Sequence, residues 1–121
     1  MDNSFLPDEK LYRAVYPPEM VSMFWRQDGS LSSAAFADPK GLSVDCGNYR
    51  SDREVIDDMS KRFTGQMISL YVKNCLDIGA LVRCRPSEKN IYHSEIHGNA
   101  EKPLLSKSQR YQLARKARIV L

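Results

Sequence analysis

The sequence predicts an α+β domain: a mostly antiparallel sheet with a mid-chain helix and a basic C-terminal helix. Three observations lead there. Short apolar runs flank one amphipathic segment at residues 51–65, so the order is strands, helix, strands, helix, without the βαβ alternation of a parallel sheet. Proline and glycine punctuate the runs. No repeat or linker divides the 121 residues, so residues 1–121 are expected to form one domain around one core.

The elements follow in order. "LYRAV" (11–15) reads as a strand stopped by Pro17 and Pro18, which cannot donate to a ladder, and Arg13 lies mid-strand. Asp28-Gly29 marks a turn or loose hairpin between Met23-Phe24-Trp25 and the small-residue run 31–36. Residues 42–45 form a short strand. A helix follows, in which Ser51 and Glu54 fit a capping box, Val55, Met59 and Phe63 recur on one face, and Gly65 sits where a left-handed cap is expected. "MISLYV" (67–72) suits a strand covered on both faces, residues 74–78 a helical turn closing at Gly79, and "ALVRC" a strand ended by Pro86. After the loop "SEKN", residues 91–97 form a strand. The closing "SKSQRYQLARKARIVL" is a helix with Ser106 and Gln109 as a second capping box and Leu113, Ala117, Val120 and Leu121 on its buried side.

Hydrophobic residues at 42% and charged residues at 27% fit a globular chain, and no apolar run reaches the length of a membrane span. The start "MDNSFLPDEK" lacks both the basic and the apolar region of a secretory signal, so a cytoplasmic location is the expectation. Cys46, Cys75 and Cys84 have neither disulfide nor metal spacing and read as packed thiols; a nucleophilic Cys46 is the lesser reading. The net charge of +3 divides unevenly: residues 101–121 hold six bases and one acid, and the rest is slightly acidic. That asymmetry admits a nucleic acid or an acidic protein as partner, or simply a solvated helix face.

"IYHSEIHG" places His93, Glu95 and His97 on one face of a strand. Residues i and i+4 of a strand lie about 13 Å apart, too far for both imidazoles to bond one ion comfortably, so no metal site is assigned. A solvated face is one reading. A pocket in which Glu95 accepts a hydrogen bond from a substrate hydroxyl and a histidine moves a proton is the other.

The chain resembles a family of small bacterial proteins without an established activity. The resemblance runs through "LYRAV", "DGSLSSAAF", "GLSVD", the segment ending in Gly79, "NIYHSEIHG" and "LSKSQRYQLARKARIV", and so covers most of the chain. It implies a histidine at the position of His93, whereas Glu95 and His97 are less typical of it. A weaker likeness is to ADP-ribosyltransferase-like folds, where an early-strand Arg or His contacts NAD and a late-strand Glu engages the ribose. Arg13, Ser43 and Glu95 occur in that order, but no glycine-rich phosphate loop accompanies them.

Three functions come into view, and the sequence favours the first, with the second as its alternative. The first is a binding or accessory protein meeting nucleic acid or an acidic partner through the C-terminal helix, where Lys107, Arg115 and Arg118 share one side with Arg110 nearby and Tyr111 available to stack. The second is a small enzyme, NAD-using or hydrolytic, with a pocket around Arg13, Ser43, His93 and Glu95; no nucleophile motif accompanies them and no cofactor is specified. The third is a partner-binding patch of Met20, Met23, Phe24 and Trp25, residues that equally suit a core.

Overall fold

β1 (Lys10–Val15) is the organising strand of the sheet, ending just before Tyr16 and the two prolines. The computed structural model describes residues 5–121, so the first four residues of the start "MDNSFLPDEK" lie outside the described residues. Among the described residues, β1 is joined by β2 (Leu42–Cys46), β3 (Gln66–Tyr71), β4 (Leu81–Cys84), β5 (His93–His97) and β6 (Arg118–Ile119) in one sheet of order β4-β5-β2-β1-β3-β6. Every pairing is antiparallel. The helices are α1 (Asp52–Met59), α2 (Val72–Leu76) and α3 (Lys107–Lys116), giving the α+β class. None is long and apolar enough to cross a membrane.

Alternation along the strands separates two faces. Leu11, Val15, Val44, Ile68, Leu70, Val82 and Ile96 fill one face and pack with Phe36, Leu105 and Leu113 into the main core. On the other face, Val55 and Met59 of α1 pack on Tyr12 and Met67 in a smaller cluster over the β1–β3 half of the sheet. On the β2–β5–β4 half of this face the register places Ser43, Asp45, Arg83, His93, Glu95 and His97.

Both capping boxes form: Ser51 with Glu54, and Ser106 with Gln109. Asp28-Gly29 does turn the chain, with Trp25 bridging Leu31. The run after it winds into a 3-10 turn, Ser33–Phe36, in which the Ala34 N–H donates to the Ser32 hydroxyl.

Several boundaries differ from expectation. α1 ends at Met59 and is followed by turns, which leave Phe63 42% exposed, outside the buried stripe. Gly65 is therefore no helix cap; its φ of +114° carries the chain past the end of β1, where an added Cβ would lie 2.6 Å from the Val15 carbonyl oxygen. The helical turn begins at Val72, two residues early. Ile91 lies outside β5 and is exposed.

The largest change is at the C-terminal segment. α3 stops at Lys116, Ala117 is extended, and Arg118 belongs to β6 rather than to the helix. The reason is a tether: Val120 N–H donates to the Met67 carbonyl and Met67 N–H to that of Leu121. These ladder bonds replace the helical ones that residues 118–121 would otherwise make. Leu121 is consequently exposed rather than on a buried helix side.

Replacing Gly65 by Ala combines a positive φ with a backbone clash, so a loss of about 1–3 kcal/mol is expected in urea unfolding.

Candidate functional site

The site begins with an incomplete ladder. β1 pairs with β3 along all of Lys10–Val15, but with β2 only at Leu11↔Cys46 and Tyr12↔Asp45. Beyond Tyr12 the two strands part. Arg13 fills the space from the core side: its Nε donates to the Ala35 carbonyl at 3.2 Å and a terminal nitrogen to the Ser43 carbonyl at 2.9 Å. A side chain thus supplies to β2 a donor that the backbone of β1 would otherwise offer. Desolvation by burial lowers the Arg13 pKa, against which the charge of Asp38 acts.

Where the strands part, a cleft of about 270 Å³ is lined by Tyr12, Arg13, Ser43, Asp45, Phe63 and His93, among others. Three of the four residues proposed from sequence as a pocket therefore meet in one place. The fourth, Glu95, lies directly opposite Ser43 across the β2–β5 ladder and two residues from His93 on the same face.

Most polar groups of the cleft are already engaged. The buried Asp45 carboxylate accepts from Arg62 at 2.7 Å and from Asn90 at 2.9 Å. Arg62 also bonds Asp58, whose partial burial opposes ionisation but is outweighed by Arg62 and Arg50, so its pKa is lowered. The Tyr12 hydroxyl donates to Asp52, and burial together with that carboxylate pushes its pKa up. Among the described residues, the side chains of Ser43 and His93 have no comparable hydrogen bond; the His93 ring makes one long approach, Nε2 to Glu95 Oε2 at 3.8 Å. Arg62 and Asn90 were not anticipated from the sequence, because their role depends on turns that bring them to Asp45 from opposite sides.

The two histidines bracket Glu95 unequally. His97 Nε2 lies 2.8 Å from Glu95 Oε1, and Arg83 Nε donates to His97 Nδ1 at 3.3 Å. Gly41, with φ of +105°, packs against this pair; a Cβ there would meet His97 Nε2 at 2.7 Å and Glu95 Oε1 at 3.1 Å. Among the described residues, no three His, Cys, Asp or Glu side chains are grouped to hold a metal ion.

The cationic residues separate. Lys107, Arg110 and Arg115 lie on α3, where Arg110 turns back to the Leu105 carbonyl and Arg115 bonds the hydroxyl of Tyr111. Arg118 is on the sheet edge. Of the methionine-aromatic cluster, Met20 and Met23 are exposed, while Phe24 and Trp25 pack against the main core.

No protein-family model matches the sequence, and no curated protein or solved structure matches it.

Cys46 is a poor nucleophile here: burial, with Glu9 adding to it, pushes its thiol up to about 11, and burial alone pushes Cys75 up to about 12. Iodoacetamide at pH 8 is expected to leave both unmodified in the folded protein and to label them once it is unfolded, read by peptide mass spectrometry.

Proposed function

We propose that this protein is a small enzyme that binds a polar substrate in the cleft between β1 and β2 and moves a proton with His93. The observation that supports this is convergence: Arg13, Ser43 and His93, from three different strands, line one cleft. Occupancy narrows the roles. With Asp45 held by Arg62 and Asn90, and Tyr12 by Asp52, the imidazole of His93 is the cleft group best placed to exchange a proton. Ser43 offers a hydroxyl at the same mouth. Glu95 faces the charge that His93 gains when it takes a proton from a substrate O–H.

Arg13 in this reading is a positioning residue, since its hydrogen bonds go to backbone carbonyls. The strands that carry Arg13, Ser43 and Glu95 are neighbours in the sheet, which makes NAD the first ligand to test. Calorimetry with NAD and with nucleoside monophosphates should show binding by the wild type, weakened about 3- to 10-fold in H93A and S43A, the size of a lost hydrogen bond. Equal affinity in wild type and both variants, or no binding of any of these ligands, overturns this reading for them.

A second reading has its own observation. Lys107, Tyr111 and Arg115 recur every four residues and are exposed, so a solvent-facing aromatic ring sits between two cations on one side of α3. This row suits single-stranded nucleic acid, with the bases stacking on Tyr111. A salt titration of binding to random-sequence RNA should then give a log–log slope of about −1 to −2, as expected for two phosphate contacts. K107E/R115E should abolish binding while R118E, on another element, leaves it largely intact; equal loss in both would refute the helix as the contact.

A further inference from the structure

The motif "HSEIH" looks symmetric about Glu95, yet its two histidines stand in different surroundings. His97 is the more enclosed, its side chain 13% exposed against 30% for His93. Its Nδ1 faces the Nε–H of Arg83, and a guanidinium has donors and no acceptor, so Nδ1 must be the unprotonated nitrogen. The proton then sits on Nε2, which donates to Glu95 Oε1 at 2.8 Å. That leaves Oε2 of the same carboxylate turned toward His93.

We infer that His97 is a positioning residue, which as the neutral Nε2–H imidazole holds Glu95 so that its second oxygen faces the proton-moving His93. The inference deepens the cleft reading and rests on it for the role of His93. The order of donors is Arg83 to His97 to Glu95. Each link crosses between β4 and β5 or runs along β5, so the sheet itself sets the spacing. Gly41 closes over the Glu95–His97 contact from the start of β2, leaving the imidazole little room to rotate.

The separation of 3.8 Å between Glu95 Oε2 and His93 Nε2 is beyond a hydrogen bond. A proton arriving on His93 creates the donor and the charge that draw the two together. The charged groups around His93 include Glu95 on its own strand, Asp45 opposite it on β2 with its partner Arg62 from the turn after α1, Arg13 from β1, Arg85 just past β4, whose backbone N–H donates to the His93 carbonyl, and, through His97, Arg83 from β4.

The chain contains two histidines, so its imidazole signals form two sets that single substitutions assign. A long-range proton–nitrogen correlation spectrum of the wild type at neutral pH is expected to show His97 as the Nε2–H tautomer. In H97F, the His93 imidazole signals should move at fixed pH. In H97Q, whose amide can accept from Arg83 and donate to Glu95, they should return toward the wild-type positions.

A Nδ1–H tautomer at His97, or His93 signals unmoved in H97F, overturns the assignment. The tautomer is read on the unmodified protein, so the test stands even where H97F does not fold. Both readouts are taken without ligand. Failure of NAD or nucleotides to bind therefore leaves them unaffected, and their failure leaves the ligand test of the cleft unaffected.

Discussion

The guanidinium of Arg13 stands between β1 and β2 where their ladder ends, and the rest of the site depends on it. Without it, the Ser43 carbonyl on β2 and the Ala35 carbonyl of the 3-10 turn would lose their donor. Water can replace the donor at the exposed Ser43, whereas the bond to Ala35 is part-buried, and an unmet buried carbonyl costs on the order of 1–3 kcal/mol. Strands that can pair tend to pair, so an opening in the middle of a sheet needs something to hold it. Here a charged side chain does so, at the cost of partial desolvation that lowers its pKa. The 3-10 turn that it ties down carries Ala35 and Phe36, both buried in the main core. One residue thus couples the opening of the sheet to the packing beneath it.

On the opposite face the constraint is charge pairing. Asp45 is buried beside the cleft, and an ionised carboxylate there requires partners. Arg62 and Asn90 provide them, and Arg62 continues through Asp58 to Arg50, which in turn stacks on Tyr92 at 3.5 Å. The chain of contacts links the turn after α1 to the loop before β5. Arg62 reaches both Asp45 and Asp58 from the turns that follow Met59.

How much was legible in the sequence follows from the range of the interactions. Capping boxes and strand alternation are local, and Ser51, Ser106 and the His93-Glu95-His97 face came out as their spacing implied. Phe63 and Arg118 misled because helical periodicity continues past the point where the helix stops. What ends α3 is a contact to Met67, some fifty residues away, which spacing within the segment does not record. The site was half visible. Arg13, Ser43 and His93 share a cleft as the grouping suggested, but the use of Arg13 as a bridge depends on two strands parting, and nothing in "LYRAV" or "GLSVD" signals that. Arg83 escaped notice because its importance comes only from its register opposite Glu95.

The strand order has a kinetic side. In β4-β5-β2-β1-β3-β6, β4–β5 and β1–β2 are the adjacent pairs that are also consecutive in sequence, but residues 85–92 join the first and the much longer segment 16–41 joins the second; the other neighbours are separated by at least one further strand of the chain. Loop closure over such distances is slow relative to a hairpin, and sheets dominated by non-local pairs fold accordingly. The β4–β5 hairpin carries Arg83, Glu95, His93 and His97 together. The His93-Glu95-His97 row can therefore be assembled with Arg83 by a local event, whereas the cleft beside it waits for β1 to dock against both β2 and β3.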